Sequence, residues 1–213
     1  MHIALIGATG FVGTALLNEL LQRGHRVTAL ARDPAKLPLR EGLTVVQANA
    51  TDAAQVAQAV RGVDAVASAY NPGWTHPDLH DEFLRGSRAI TAGVKAAGVQ
   101  RLLVVGGAGS LFVAPGVQLV DTPQFPAEWK QGALAARDAL NWIRTENTLD
   151  WTFLSPPILL QPGERTGQYR LGDEAPLMNG DQPGSISEAD LAVAMVDELE
   201  TPRHVQKRFT VAN

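Results

Sequence analysis

The chain of 213 residues contains no cysteine. This absence excludes disulfide bonds, thiolate ligands to a metal and a cysteine nucleophile, although it does not fix the cellular compartment. The sequence also lacks a charged-then-apolar signal segment at its N-terminus and any apolar run long enough to span a bilayer. We therefore expect a cytoplasmic protein that does not enter the membrane.

An excess of positive charge is missing as well, because 18 Lys and Arg residues face 22 Asp and Glu residues for a net charge of −4. A weakly acidic chain gives no electrostatic reason to expect nucleic acid or an anionic membrane surface as a partner. Hydrophobic residues make up 45% of the sequence, which supports a well-filled core. The length fits a single domain over residues 1–213.

Apolar runs alternate with helical patterns through the first two thirds of the chain. Six runs are typical of buried strands: residues 3–6, HRVTALAR, LTVVQANA, DAVASAY, RLLVVGG and DWTFLSPP. Between them apolar residues recur at helical spacing, in the sets Leu16, Leu17, Leu20 and Leu21; Leu79, Phe83, Ile90 and Val94; and Trp129, Ala133, Ala136, Leu140 and Ile143. This alternation predicts an α/β fold with a Rossmann-type doubly wound parallel sheet.

The last third of the chain has a different pattern. Five prolines interrupt residues 156–183, ERTGQYRLG is typical of a short strand, and KRFTVAN of a terminal strand. Ser187 followed by Asp190 indicates the start of a capped helix. We expect residues 156–213 to form a small C-terminal lobe and closing elements over the carboxyl edge of the sheet.

Three glycines occupy the first predicted strand–turn–helix junction, in the stretch GATGFVG. A helix N-terminus offers free backbone N–H groups and a positive dipole end to a phosphate. We expect Gly7 to make the turn, Gly10 to let a pyrophosphate approach and Gly13 to allow close packing, with N–H groups from Thr9, Phe11 and Val12. The alternative is that the glycines only pack a helix on a strand.

The end of the second strand bears on the choice between NAD and NADP. An NAD site places a carboxylate there to accept from the ribose 2′-hydroxyl, whereas this chain has Ala31 followed by Arg32, with Lys36 one turn later. A guanidinium holds a 2′-phosphate through charge-assisted hydrogen bonds of roughly 1.5–3 kcal/mol each. We therefore expect NADP(H), and Asp33 to cap the turn that Pro34 begins.

Three further segments are expected along the cofactor. Asp52 follows the third strand, where it meets the adenine amino group or caps the next helix; the sequence leaves both open. Ala69 and Tyr70 end the fourth strand and are expected beside the cofactor ribose. The Pro156–Pro157–Ile158 turn is expected to place its backbone against the nicotinamide carboxamide.

The Gly-x-x-Gly-x-x-Gly spacing resembles that of extended and atypical short-chain dehydrogenases/reductases. Together with ALARDP, VVGGAGSL, TFLSPP and SISEADLAVAMVDELE, it makes the whole chain similar to the NAD(P)H-binding, NADH-flavin reductase family of the atypical group. The flavin reductase that also reduces biliverdin-IXβ is a more distant likeness. These motifs are specific for fold and cofactor and much less so for substrate.

The resemblance also reveals an absence. Carbonyl reduction in the wider family uses a Tyr-x-x-x-Lys pair, but the fourth residues after Tyr70 and Tyr169 are Trp74 and Asp173. A positioned acid contributes about a hundred- to ten-thousand-fold to reduction of an unactivated carbonyl, whereas an electron-poor ring needs mainly hydride delivery. The absence therefore favours a flavin-like or quinone-like acceptor, or no catalysis.

Few polar residues are candidates for direct chemistry. Ser110 is the first candidate near the nicotinamide and Lys130 the second, although Ser110 could satisfy its own loop and Lys130 could be solvated. Trp74, Phe112 and Trp129 could form an apolar slot for a flavin ring, but Trp129 fits a core position best.

His76 and His80 lie four residues apart and could bind a metal. Their acidic neighbours are equally explained by the start of a helix. We predict no metal site.

We expect an NADPH-dependent oxidoreductase that transfers hydride to a small-molecule acceptor, with FMN or another flavin as a diffusing substrate. The rival is a non-catalytic NADP(H)-binding redox sensor. An epimerase that uses the cofactor transiently needs an acid–base pair that the sequence does not offer. The sequence leaves open whether the protein is a monomer or a homodimer.

Overall fold

The hydrophobic runs form strands at the expected places in a computed structural model that describes residues 1–213. The strands are β1 (His2–Ile6), β2 (Arg26–Ala31), β3 (Leu43–Gln47), β4 (Ala65–Ser68), β5 (Arg101–Val105), β6 (Phe112–Ala114), β7 (Val117–Gln118), β8 (Asp150–Ser155), β9 (Leu159–Gln161), β10 (Arg170–Gly172), β11 (Met178–Asn179), β12 (Gln182–Pro183), β13 (Ser185–Ser187) and β14 (Lys207–Ala212). The α-helices are α1 (Phe11–Gln22), α2 (Ala53–Ala59), α3 (Leu79–Ala96), α4 (Ala127–Ile143) and α5 (Glu188–Glu200). None of these helices combines the length and apolar character needed to cross a membrane.

Eight strands form the central sheet, in the order β10-β14-β8-β5-β4-β1-β2-β3. All neighbouring pairs are parallel except β10 with β14. The chain moves outward from β1 through β2 to β3, then returns to the other side of β1 at β4. The Rossmann-type prediction is confirmed, and the change of direction between β1 and β4 is the point where ligands bind in such sheets.

Helices cover both faces of the sheet. One core contains the leucines of α1 with Met195 of α5 and Phe209 of β14. The other contains α2, α3 and α4 packed on residues that include Trp151 and Phe153 of β8. The predicted stripe of α1 packs in the first core, with Leu21 half-buried. In the stripe of α3, Ile90 and Val94 lie in the second core, whereas Leu79 and Phe83 are buried in a third, smaller cluster with α4.

The prediction for Trp129 is wrong. Residues 127–131 form an exposed first turn of α4, and the Trp129 side chain is 55% exposed. The helix starts before it reaches the layer of side chains that covers the sheet, so its buried face begins only at Gly132. The remaining stripe residues Ala133, Ala136, Leu140 and Ile143 are buried as predicted.

The last third of the chain contributes to the central sheet as well as to the surface beside it. β14 pairs in parallel with β8, and β10 completes that edge. β13 pairs with β9, while β11 and β12 form a separate hairpin. α5 begins where predicted, because the Ser187 hydroxyl accepts from the Asp190 amide at 2.9 Å.

A buried carboxylate fixes the loop that leads into β10. The Asp190 side chain is fully buried, and it accepts from the Thr166 amide at 2.8 Å, the Thr166 hydroxyl at 2.6 Å and the Gly167 amide at 2.7 Å. Residues 161–168 are otherwise exposed. The loop is therefore held by hydrogen bonds rather than by apolar packing.

Asp190→Ala should lower the free energy of unfolding by about 2–4 kcal/mol, because several donors lose a buried acceptor. Urea unfolding would measure this change, and limited proteolysis should show faster cleavage near residues 163–167. The exposed Asp181 supplies the matched control Asp181→Ala, for which we expect no change. Equal urea midpoints for Asp190→Ala and the wild type would contradict this role.

A histidine joins α3 to α4. His80 Nε2 lies 3.0 Å from Asp138 and its Nδ1 lies 2.9 Å from Asp81. Hydrogen bonds to Asp81 and then to Asp138 raise the pKa of His80 above its ordinary value. Arg137 Nε is 3.7 Å from the other oxygen of Asp138, so the carboxylate is shared between two cations.

This contact should make stability depend on pH. The folded pKa of His80 exceeds the unfolded value of about 6.5, so the stabilisation is complete below that pH and disappears as the pH rises through the folded pKa. His80→Gln should cost about 0.5 kcal/mol at pH 5.5 and less at pH 8.5 in urea unfolding. Asp138→Asn should remove only the share of this pH dependence that Asp138 supplies, because Asp81 also raises the pKa of His80. An equal cost of His80→Gln at both pH values would rule the contact out as its source.

Candidate functional site

The glycine turn lies at the change of direction between β1 and β4. Gly7 has a φ of +84°, and a Cβ atom there would lie 2.4 Å from the Ala69 carbonyl oxygen. A Cβ on Gly13 would lie 1.9 Å from the Gly7 carbonyl oxygen. Since real side chains do not approach this closely, only glycine fits at either position. α1 thereby starts directly against the ends of β1 and β4.

The first turn of α1 presents its amides without a side-chain cap. Gly10 is the N-cap residue, and no side chain accepts a hydrogen bond from the first turn. The Gly10 amide donates to the Gly7 carbonyl at 3.0 Å, and intrahelical bonding begins with the Thr14 amide on the Gly10 carbonyl at 2.8 Å. The intervening amides of Phe11 and Val12 are orphan donors at the positive end of the helix dipole.

The residues beside this turn leave space for a ligand. Thr9 and Gly10 are exposed, and the Phe11 side chain is 49% exposed. A groove of about 510 Å³ also begins at the turn, but it follows the flank of α1 to Arg165 and Glu188 and includes no residue from the ends of β2, β4, β5 or β8. A glycine cradle with orphan amides and open space in front of it fits the pyrophosphate of a dinucleotide.

A cation stands at the end of β2. Arg32 is exposed, and its backbone carbonyl accepts from Gln47 Nε2 at 3.3 Å. Its guanidinium belongs to none of the ion pairs of the chain. The neighbouring Asp33 accepts from the Ala35 amide at 3.1 Å and caps the short 3₁₀ turn Pro34–Lys36. Lys36 is also exposed.

Asp52 caps α2. Its Oδ1 accepts from the Ala54 amide at 2.9 Å and the Gln55 amide at 3.1 Å, while its Oδ2 accepts from Gln55 Nε2 at 2.9 Å. The hydrogen bonds from Gln55 and Ala54 lower the pKa of Asp52. Both carboxylate oxygens thus serve the helix start, and contact with adenine stays a prediction.

The end of β4 borders the turn through its backbone. The Ala69 amide donates to the Ile6 carbonyl at 2.9 Å. The Tyr70 ring packs on α3, where a Cβ on Gly86 would lie 2.2 Å from its Cε1. Its hydroxyl donates to the Glu82 carbonyl at 3.2 Å, and burial raises the pKa of Tyr70 to about 12. The phenol therefore faces the helix and stays protonated.

The ends of β5 and β8 continue the same edge. A Cβ on Gly106 would lie 1.9 Å from the Phe153 ring, so the chain after β5 lies directly on the sheet. Pro156 and Pro157 are buried and Ile158 is half-buried. Gly7, Ala69, Gly106 and Ile158 are all partly accessible, so β1, β4, β5 and β8 each have an accessible residue shortly beyond the carboxyl end.

Ser110 and Lys130 occupy different environments. Ser110 is 1% exposed, and its hydroxyl accepts from Arg208 Nη1 at 3.3 Å. Arg208 also donates to the Ser155 hydroxyl at 3.3 Å and forms an ion pair with Glu174. The Ser110 hydroxyl is thus hydrogen-bonded to this buried guanidinium, whereas Lys130 is exposed on the first turn of α4. The structure does not bring the two together.

Glu174 completes this cluster at its accessible side, with a side chain that is 46% exposed. Burial would raise the pKa of Glu174, but the ion pairs with Arg208 and Arg144 hold it below its ordinary value. Its carbonyl accepts from the Phe112 amide at 2.8 Å. The cluster thereby joins β14, the loop after β10 and the hairpin of β6 and β7 beneath the Pro156–Pro157 turn.

The sequence interpretation missed the contact of Arg165 with α1. Arg165 donates to both carboxylate oxygens of Glu19, at 2.7 and 2.9 Å, although the two residues are 146 positions apart. Glu19 is 3% exposed, and the hydrogen bond from Arg165 outweighs burial and lowers its pKa. Nothing in the local sequence around either residue indicates this pairing.

The two histidines considered as metal ligands have other partners. His80 bonds to Asp81 and Asp138, and His76 Nδ1 accepts from the Asp78 amide at 3.2 Å. No group of three or more His, Cys, Asp or Glu side chains is close enough to hold a metal ion.

Comparison with known proteins gives a consistent family. The YwnB protein of Bacillus subtilis is 39% identical over 218 residues, which cover 100% of this chain and 99% of that protein. A structure from Bacteroides thetaiotaomicron, provisionally named an epimerase, is 45% identical with a TM-score of 0.92 and covers 99% of this chain and 96% of its own. A structure from Streptococcus pneumoniae, provisionally named an NADH-flavin reductase, is 36% identical with a TM-score of 0.86 over 100% and 99% of the two chains.

The family model described as NAD(P)H-binding matches residues 7–202. The match begins at the first glycine of the turn and extends through the closing helix α5. The resemblance noted in the sequence is confirmed. The chain belongs to the NAD(P)H-binding family of Rossmann-type proteins related to the atypical short-chain dehydrogenases/reductases.

Proposed function

We propose that this protein is an NADPH-dependent oxidoreductase that reduces a flavin-like or quinone-like acceptor in the cytoplasm. The observation that carries the proposal is the pairing of an uncapped glycine turn with the exposed Arg32, in a site that has no tyrosine as proton donor. Membership of the NAD(P)H-binding family supports the cofactor class. The choice of NADPH and of the acceptor rests on individual residues.

The glycine turn would hold the pyrophosphate. Gly7 and Gly13 leave no room for a Cβ atom, and Gly10 adds no side chain to the open face. The amides of Phe11 and Val12, with that of Thr9, would donate to the phosphate oxygens. Gly10 would let those oxygens approach the backbone.

Arg32 would select the phosphorylated dinucleotide. Its guanidinium is exposed beyond the end of β2, where a 2′-phosphate lies in this fold. Asp33 accepts from the turn that it caps through Oδ1 alone, so the preference for NADPH rests on the cations beside it and not on the loss of this carboxylate. Lys36 adds a second positive charge, and Asp52 would approach the adenine from the α2 cap.

The nicotinamide end would lie beside the accessible residues at the carboxyl ends of β4, β5 and β8. The backbone of Ala69 and Tyr70 would border the ribose, and that of Pro156 and Ile158 would meet the carboxamide. The rigid Pro156–Pro157 pair fixes this backbone and excludes water from below. Bound NADPH would supply a hydride, and the proton needed to complete reduction would come from water.

The absence of a positioned acid favours an electron-poor ring as the acceptor. The Tyr70 hydroxyl donates to Glu82 and the Tyr169 hydroxyl donates to Asp197 at 2.5 Å. Burial and the bond to Asp197 raise the pKa of Tyr169 well above its ordinary value. Ser110 accepts from Arg208, and Lys130 remains as an exposed cation that would attract a phosphate on the acceptor rather than donate a proton.

Steady-state oxidation of NADPH, followed by absorbance, tests the proposal with FMN, riboflavin and a simple quinone in turn. We expect saturable, acceptor-dependent turnover that exceeds the rate with NADH. The same lack of an acid fits a sensor that binds NADPH without using it. Tight NADPH binding with no acceptor-dependent oxidation would overturn the reductase proposal and favour the sensor.

Arg32→Ala should reduce the ratio of kcat/KM with NADPH to kcat/KM with NADH by about ten- to a hundred-fold, the value of one charge-assisted hydrogen bond. The effect should be mainly on KM, since the 2′-phosphate is remote from the reacting atoms. Arg40, an exposed arginine of the following loop that donates to Asn18, gives the matched control Arg40→Ala. An unchanged preference after Arg32→Ala would defeat the assignment.

A further inference from the structure

Two of the four tryptophans are largely exposed. Trp74 is 63% exposed and Trp129 is 55% exposed, whereas Trp151 is 2% exposed in the core. An indole group gains more free energy from burial than almost any other side chain. Two exposed indoles in one region of the surface therefore indicate a ligand-binding surface.

The two indoles border the same turn of α4. A Cβ atom on Gly132 would lie 2.6 Å from Cζ3 of Trp74, so the Trp74 ring lies directly on the backbone of Gly132. Trp129 precedes Gly132 by three positions, and residues at that spacing share a face of a helix. The Trp74 ring therefore lies on the backbone of Gly132, about one helical turn from Trp129 along α4.

This pair lies on the same edge as the proposed nicotinamide position. Trp74 belongs to the loop after β4, whose residue Ala69 touches the glycine turn. Trp129 belongs to the first turn of α4, the helix that follows β5, so it lies at the carboxyl end of that strand. The 3₁₀ turn after β5 packs on α4, where a Cβ on Gly109 would lie 2.8 Å from that of Ala133.

We propose that Trp74 and Trp129 bind the planar tricyclic ring of a flavin acceptor. The inference rests on the proposed function and names the occupant of its acceptor site. Indole rings stack on flat conjugated systems through offset or edge contacts. Neither indole forms an aromatic pair within the protein, so both remain available to such a ring.

Riboflavin is the probe, because it carries the ring without a phosphate that Lys130 could attract. Protein saturated with NADP⁺ would be titrated with riboflavin, and the quenching of flavin fluorescence would be recorded. Trp74→Leu and Trp129→Leu should each weaken riboflavin binding about tenfold, the upper end for loss of one aromatic contact. Trp74→Phe should retain most of the affinity, and Leu39→Ala, at a loop position that is 99% exposed, should change nothing.

Gly132→Ala tests the contact between Trp74 and Gly132 without altering either indole. Alanine favours helix over glycine, and circular dichroism would check that the fold is intact. The new methyl group must displace the Trp74 ring, so we expect riboflavin binding to weaken, by less than in Trp74→Leu because the ring is shifted and not removed. NADP⁺ affinity should stay within twofold of the wild type in all variants.

The two proposals fail in different ways. Wild-type affinity for riboflavin in both leucine variants, or no saturable riboflavin binding by the wild type, would overturn the tryptophan subsite. Tryptophan-dependent binding without NADPH oxidation would support the subsite and overturn the reductase. Oxidation with riboflavin at wild-type KM in the leucine variants would support the reductase and overturn the subsite.

Discussion

The space between Gly7, Gly13 and Ala69 is the constraint on which the rest of the site depends. A Cβ on Gly7 would be 2.4 Å from the Ala69 oxygen, and one on Gly13 would be 1.9 Å from the Gly7 oxygen. The close approach of backbone at these glycines places the start of α1 against β1 and β4, where the sheet changes direction. It fixes where the free amides point, and therefore where a pyrophosphate can bind and on which side the nicotinamide must lie.

Polar contacts hold the loops of the last third of the chain. Arg208, whose side chain is fully buried, joins Ser110, Ser155 and the loop of Glu174. Asp190 fixes the loop around Thr166, and Arg165 joins that loop to Glu19 of α1. Because buried charges are costly unless they are paired, each of these contacts permits one arrangement of the loops. The glycine turn depends on backbone sterics, whereas the loops of the last third of the chain depend on charge pairing.

The central sheet and the glycine turn could be predicted because their signals are local. Buried strands have continuous apolar runs, and a turn that excludes side chains needs glycine where the chain reverses. Trp129 was misplaced because helical spacing says which residues share a face but not where the helix projects beyond the sheet. Arg165 with Glu19, and Trp74 on Gly132, join distant parts of the chain, so no local pattern encodes them. Ser110 was predicted from its position after a strand, but its environment is set by Arg208, nearly a hundred residues later.

The glycine turn and Arg32 are the two proposed anchors of NADPH, and a crystal structure of the protein grown with NADPH tests this proposal most directly. We expect the pyrophosphate against the amides of Phe11 and Val12, and the 2′-phosphate within hydrogen-bonding distance of the Arg32 guanidinium. The nicotinamide should lie between Ala69 and the Pro156–Ile158 backbone. A dinucleotide bound elsewhere, or a 2′-phosphate that has no contact with Arg32, would contradict the account.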